Sequence, residues 1–184
     1  RLLSSLFLLC IMKIRLAKNN DIKRIVEIAN ACADHMISKG IFQWDKNYPN
    51  KKTFETDLDD NSLYIIEDKD LVIGCICISL NIDDFYKSVK WITKTNKNLY
   101  VHRLAIHPKF QGRGLALKLM NFANEFANQN NCESIRLDTF SGNPRNNKFY
   151  ILQGYTKIGE IYFRNQSDMP FNCSCAERNG KNRR

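Results

Sequence analysis

The sequence predicts one α/β domain built on a mixed β-sheet, and three observations lead to it. The chain has 184 residues, 43% of them hydrophobic and 26% charged, which suits one globular core and is short for two. Its apolar spacing switches repeatedly between the period of a strand and that of a helix, in the order βααβββαβαββ. No internal repeat or composition break marks a second domain between Met12 and Glu177.

The elements follow in order. Residues 1–11 ("RLLSSLFLLCI") look like a weak signal-peptide core without a small-residue cleavage site. They read as an upstream or cloning-derived extension, with Met12 as the natural start of a domain spanning 12–177. Lys13–Ala17 is a short strand. Asn20 or Asp21 then caps a helix whose Ile22, Ile25, Val26, Ile28 and Ala29 recur at helical spacing. The aromatic loop "GIFQWDKNYPN" precedes a short helix carrying Phe54 and Leu58. Leu63–Ile66 and Leu71–Leu80 flank a turn and form an antiparallel hairpin. Asn81–Asn98 is a long polar connection holding Phe85, Tyr86 and Trp91, a length that suits a functional lid. Leu99–Ile106 is a central strand. The next helix carries Leu115, Leu119, Phe122 and Phe126 beside Ala116, Met120, Ala123 and Ala127, one broad apolar stripe for a sheet to cover. Ser134–Phe140 is a strand, a helix runs from about Pro144 to Gln153, and Tyr155–Phe163 and Phe171–Glu177 close the sheet. Residues 178–184 read as a basic, disordered tail.

The formal charge of +9 is concentrated at the ends. Arg1, Lys13, Arg15, Arg178, Lys181, Arg183 and Arg184 account for seven of it, leaving +2 for residues 16–177. Within the body, Phe85–Asn124 holds eight basic residues and no acid, a segment suited to a polyanionic ligand. Without a stacking platform or a nucleic-acid motif, this does not predict nucleic-acid binding. No apolar run approaches the roughly 18 residues of a membrane span, so no membrane role is expected. The seven cysteines include Cys75/Cys77 and Cys173/Cys175, each pair on one face of a strand. That spacing makes neither a disulfide framework nor a usual zinc site, and the pairs read as small, reduced, buried hydrophobes of a cytoplasmic protein.

The stretch "HPKFQGRGLA" (107–116) carries the chemistry. It turns a strand into a helix, where unpaired amides and the positive end of the helix dipole collect. Gly112 and Gly114 let the backbone approach a ligand closely, and Lys109 and Arg113 add charge. Such a corner suits a phosphate or pyrophosphate. Neither a Rossmann loop nor a P-loop has this spacing.

Gln111-x-x-Gly114-x-Ala116 is similar to the acyl-CoA signature of the GNAT superfamily of N-acetyltransferases. Leu104-Ala105-Ile106-His107-Pro108 before it, and Asn143, Phe149-Tyr150 and Gly154-Tyr155 after it, sit at that family's offsets. The opening "KIRLAKNNDIKRI", the "QWDKNYP" loop and the closing "PFNCSCAE" resemble small bacterial members. Ala116 replaces the second motif glycine, a permitted variant, and Asn146 stands where the family often has Ala.

The resemblance implies a mostly antiparallel central sheet with splayed strands, flanked by helices. It implies an N-acetyltransferase that uses acetyl-CoA as co-substrate, needs no metal, and acetylates a small-molecule amine or peptide as a monomer or homodimer. A catalytically silent acyl-CoA-binding module is the alternative. By the same resemblance, Gln111, Gly112, Arg113, Gly114, Leu115 and Ala116 hold the pyrophosphate. Leu104, Ala105, Ile106, Asn143, Asn146 and Phe149 hold the rest of CoA. The Leu104 amide faces the thioester oxygen, Tyr150 is the acid for the leaving thiolate, and His102 is a candidate base on the same strand face as Leu104. Trp44, Tyr48 and Trp91 belong to segments that cover the acceptor, where aromatics can clamp an amine.

Overall fold

The computed structural model describes residues 12–163 and 169–177; the expected N-terminal extension and basic tail lie outside them. Among the described residues the strands are β1 (Lys13–Leu16), β2 (Leu63–Asp68), β3 (Leu71–Ser79), β4 (Asn98–Ile106), β5 (Ser134–Phe140), β6 (Thr156–Ile161) and β7 (Phe171–Glu177). The helices are α1 (Ile22–Ile37), α2 (Lys51–Asp59), α3 (Leu115–Gln129) and α4 (Pro144–Leu152). The strands form one sheet in the order β1-β2-β3-β4-β5-β7-β6. All pairings are antiparallel except β4 with β5.

Local chemistry sets most of these elements. The β2–β3 hairpin turns on Lys69 and Asp70, both left-handed at φ 48° and 66°, the backbone that matches the twist of a two-residue hairpin. The start of α1 differs from expectation. A 3-10 turn, Asn19–Asp21, precedes it, and the Asp21 carboxylate faces back to the Lys18 amide (2.7 Å) and Arg15 (2.7 Å). Asp21 therefore ties α1 to β1 rather than capping first-turn amides.

The sheet has a core on each face. Against α1 and α2 it buries Ile25, Ile28, Phe54, Leu63, Ile65, Cys75 and Ala105. Against α3 it buries Ile73, Ile76, Leu99, Val101 and Ile106 with Leu119, Met120 and Ala123 of the helix stripe. Phe122 and Phe126 flank that stripe and close on Tyr64, with ring centroids 5.0 and 6.0 Å away. Each fully buried Leu or Met here stabilises the fold by about 1.5–3 kcal/mol. The six cysteines among the described residues are all buried, as the two strand pairs led one to expect.

The connection from Asn81 to Lys97 is pinned down rather than open. Its 3-10 turn, Asp84–Ser88, sinks Tyr86 into the core at 1% exposure. Further on, the Trp91 ring lies 4.6 Å from the guanidinium of buried Arg136 on β5, which also donates to the Thr93 carbonyl (2.5 Å) and the Tyr100 hydroxyl (3.0 Å). Arg136 is thus held by cation–π contact and neutral acceptors.

Candidate active site

The site begins where β4 leaves β5. Asn98–Val101 pair in parallel with Ser134–Leu137, and the pairing ends there. Beyond Val101, β4 keeps β3 on one side and shows a free edge on the other.

In the same stretch β4 carries a bulge. Cys77 opposes His102 and Cys75 opposes Ala105, so Arg103 and Leu104 together face the single residue Ile76. Arg103 is left-handed (φ 50°), a conformation that costs a non-glycine residue about 1–2 kcal/mol. Its guanidinium offsets that cost by gripping Asp57 of α2 through Nε (2.6 Å) and Nη2 (2.5 Å). Gly74 of β3 supplies the room, since a Cβ there would meet Ala105 O at 2.7 Å and Ile106 Cδ1 at 2.5 Å. An isolated glycine in a strand is the sequence signal for such a bulge.

The extra residue corrects one expectation. Strict alternation would put His102 and Leu104 on one face. Instead Leu104 packs with the core under α3, while His102 lies on the opposite face, stacked on Tyr86 (5.5 Å, 12°).

A cleft of about 540 Å³ runs from this free edge to the start of α3. Leu104, Ala105, Ile106, Gln111, Gly112, Gly114, Leu115 and Ala116 line it from one side; Asn143, Asn146, Phe149 and Tyr150 line it from the other. Gly112 and Gly114 take φ 78° and 73°, and no atom lies within 4 Å of where their Cβ atoms would be. The first α3 bond runs from the Lys118 amide to the Gly114 carbonyl (3.0 Å), so the amides of residues 115–117 stand outside the helical ladder. Open space, free amides and a helix N-terminus fit a pyrophosphate.

Arg113 does not line this cleft. It is exposed, folded over Phe110 at 5.3 Å, with Nη2 on the Lys109 carbonyl (3.4 Å). The cations at the wall are Lys39 and Arg145, which the sequence reading passed over; Arg145 Nη1 donates to Gln111 Oε1 (2.9 Å). Gln111 Nε2 in turn donates to the Ile106 carbonyl (2.9 Å), which also accepts from Cys32 Sγ (3.2 Å). The Ile106 carbonyl is therefore occupied by the protein's own donors. Asn143 is spent within the protein: Oδ1 caps α4 at the Asn146 amide (3.2 Å), and Nδ2 donates to Gln43 Oε1 (3.1 Å).

A second, smaller cavity of about 80 Å³ meets the cleft at Gln43, Trp44, Leu104, Asn146 and Tyr150. Tyr48, Asp83, Tyr86, His102, Arg103, Asp138 and Thr139 complete its polar lining. Tyr48 accepts from Arg103 Nη1 at 3.4 Å. Trp91 is not at this cavity; it stands behind Tyr86 (5.5 Å) with its indole N–H on the Tyr86 carbonyl (3.1 Å), a wall for the connection rather than a clamp for an acceptor.

Its central group is Asp138, which sequence reasoning missed. An acid inside the buried run "IRLDTF" was the available signal. Its side chain is 17% exposed, and Tyr86 Oη donates to its Oδ1. Burial pushes this carboxyl above the usual range; the Tyr86 bond and Arg103 pull it back, and the charge of Asp83 adds to the rise. His102 Nδ1 lies 3.4 Å from Tyr86 Oη and 3.9 Å from Asp138. Burial, with Arg103 adding, depresses His102 to about 3, so its ring is neutral and a poor acceptor of an ammonium proton. Because the Tyr86 proton is committed to Asp138, the contact with His102 is favourable only with the ring proton on Nδ1. Tyr150 is raised well above an ordinary tyrosine, by burial first and then by the charge of Asp138. Its phenol therefore stays protonated.

Comparison with known proteins agrees with this geometry. Residues 22–155 match the acetyltransferase (GNAT) family. No curated protein matches the chain in sequence. Among solved structures, a GNAT-family acetyltransferase from Streptococcus agalactiae superposes with TM-score 0.76 at 21% identity, over 91% of this chain and 96% of its own. One from Listeria monocytogenes gives 0.72 at 20% identity, over 91% and 95%. The Salmonella typhimurium acetyltransferase yncA, solved with acetyl-CoA, gives 0.67 at 15% identity, over 95% and 98%.

Proposed function

The chain belongs to the acetyltransferase (GNAT) family, and from that premise we propose that it transfers the acetyl group of acetyl-CoA to a primary amine by direct attack in a ternary complex. One observation carries the reading. The glycine turn, the free edge of β4 and the Asp138 cavity form one passage, joined at Leu104 and Tyr150. A cofactor arm entering from the turn and an amine entering from the cavity meet there. The bound acetyl-CoA of the Salmonella relative supports the choice of donor.

When bound, acetyl-CoA supplies the activated acyl carbon; the protein supplies position and proton traffic. The α3 amides and the open faces of Gly112 and Gly114 hold the pyrophosphate, with Arg145 at the wall. Leu104 sits in the bulge and past the end of β5 pairing, so its amide is outside the regular ladder and can donate to the acyl oxygen. Such a donor contributes roughly 3 kcal/mol where charge develops. Asp138 takes one proton from the incoming ammonium and passes it to solvent. As the N–C bond forms and the C–S bond breaks, Tyr150 gives its proton to the sulfur. A second amine proton restores the tyrosine, and the third stays on the product amide. Tyr86 keeps the Asp138 carboxylate oriented through its short bond.

The test is a thermal shift with acetyl-CoA, desulfo-CoA and ATP, followed by amine-dependent thiol release. Acetyl-CoA at one hundred times its Kd adds about 2.7 kcal/mol of stability. No shift with acetyl-CoA overturns the reading. A shift without thiol release from any amine would instead make the chain an acyl-CoA-binding module.

A further inference from the structure

The acceptor cavity has a lopsided charge. Among the described residues, Asp83, Arg103 and Asp138 are its only formally charged lining residues. The Arg103 charge is already answered, because Asp57 takes Nε and Nη2 and Tyr48 takes Nη1. Neither carboxylate is answered: among the described residues no lysine or arginine forms an ion pair with Asp83 or Asp138. The two acids are also differently placed. Asp138 sits at depth beside Tyr150, whereas Asp83 is exposed at the rim, where its Oδ1 caps the Phe85 amide (3.1 Å).

A second observation points to a ligand. Thr139 Oγ1, on a residue only 3% exposed, lines the same cavity and has no hydrogen-bond partner within the protein. A buried hydroxyl in a polar recess is costly unless something else satisfies it. The volume of about 80 Å³ suits a slender chain at depth. Trp44, Tyr48, Tyr86 and Tyr150 give it aromatic walls compatible with a cation.

We propose that the acceptor is a slender dicationic amine, with the reacting nitrogen at Asp138 and a second ammonium at Asp83, and that amines bearing a carboxylate, α-amino acids included, are rejected. This rests on the acetyltransfer reading and narrows it. A carboxylate would find no free cation among the described lining residues and two acids facing it. An uncharged tail would leave Asp83 to solvent.

Three four-carbon acceptors separate the possibilities: 1,4-diaminobutane, n-butylamine and 4-aminobutanoate, each followed by thiol release from acetyl-CoA. The expected kcat/KM order is the order just given. The diamine leads butylamine by roughly fivefold, the size of one exposed ion pair. Butylamine leads 4-aminobutanoate by roughly tenfold or more, from like-charge opposition. Asp83→Asn keeps an oxygen for the Phe85 amide and brings the diamine-to-butylamine ratio, counted per reactive nitrogen, to about one. The variant meets the same amine ionisation, so the change in ratio reports on Asp83 alone. Added salt shrinks the diamine lead in the unsubstituted protein. A 4-aminobutanoate rate equal to or above that of butylamine, or a diamine lead that survives Asp83→Asn, overturns the proposal and leaves acetyltransfer standing. Thiol release from none of these three but from another amine of a wider panel also overturns the proposal alone, and thermal stabilisation by acetyl-CoA with release from no amine overturns both.

Discussion

The two cavities that meet at Leu104 are made of different material. The larger is a backbone site: two left-handed glycines, the unbonded amides that open α3 and the free edge of β4. The smaller is a side-chain site, where Asp138, Tyr86, His102 and Asp83 arrive from β5, β4 and the connection between β3 and β4. A backbone site binds what every member of a reaction class shares. A side-chain site chooses among acceptors and handles protons, and each of its groups can be changed without altering the chain path. Substitutions in the two regions should therefore separate binding of the acyl donor from chemistry on the amine.

The sharpest break is at Asp138. Asp138→Asn lowers kcat by roughly 10³-fold, within the range of general base catalysis, while the Kd for acetyl-CoA from calorimetry stays near its original value. A comparable loss in acetyl-CoA affinity would erase the division between the cavities. The pH profile carries the same assignment. Because burial raises the Asp138 carboxyl, kcat/KM should climb with pH through a limb above the ordinary carboxylate range as that group ionises, and Asp138→Asn should remove that limb.

Tyr150→Phe comes next, with roughly 10²-fold lost from kcat and thermal stability nearly unchanged. Rates equal to the original would reduce Tyr150 to a packing residue at the junction. Asp57→Ala strikes the support under the bulge. It strands the Arg103 guanidinium, whose side chain is 17% exposed, and should cost about 3 kcal/mol in a urea titration, with acceptor KM rising more than acetyl-CoA KM.

Gly114→Val tests the backbone site from the other direction. A β-branched residue at φ 73° is strained, and its side chain would stand in the open space of the turn. The expected result is roughly tenfold weaker acetyl-CoA binding, with kcat at saturation changed little. The smallest effect belongs to His102→Gln. A ring held neutral by burial contributes little as a base, so kcat/KM should fall by no more than about threefold, with the acid limb in place. Loss of the limb in this variant would return the base to His102.

The backbone site was legible because its signals are local. Gly112 and Gly114 stand between a strand and a helix that announce themselves by period, and Asn143, Phe149 and Tyr150 follow at fixed offsets. Even there, Arg113 was drawn into the site by proximity in sequence. Only the fold shows that it turns outward onto Phe110 and that Arg145, 34 positions from Gln111, takes the place at the wall. The side-chain site was legible in part. The structure places Trp44 and Tyr48 in its lining, whereas Trp91 packs against Arg136 and Tyr86 instead.

By itself, the sequence determined the order of strands and helices, the stripe that seats α3, and the glycine corner with its free amides. These depend on residues two to four apart and on backbone freedom at single positions. The tertiary structure alone brought Asp138 into the smaller cavity beside Tyr86, since the two are 52 positions apart and meet only because β4 and the connection before it lie beside β5. It alone placed the bulge, because that needs Gly74 on one strand, Arg103 on the next and Asp57 on a helix to act together. A pattern read along one chain follows the period of each element, and a bulge breaks that period by one residue. That one residue parts His102 from Leu104.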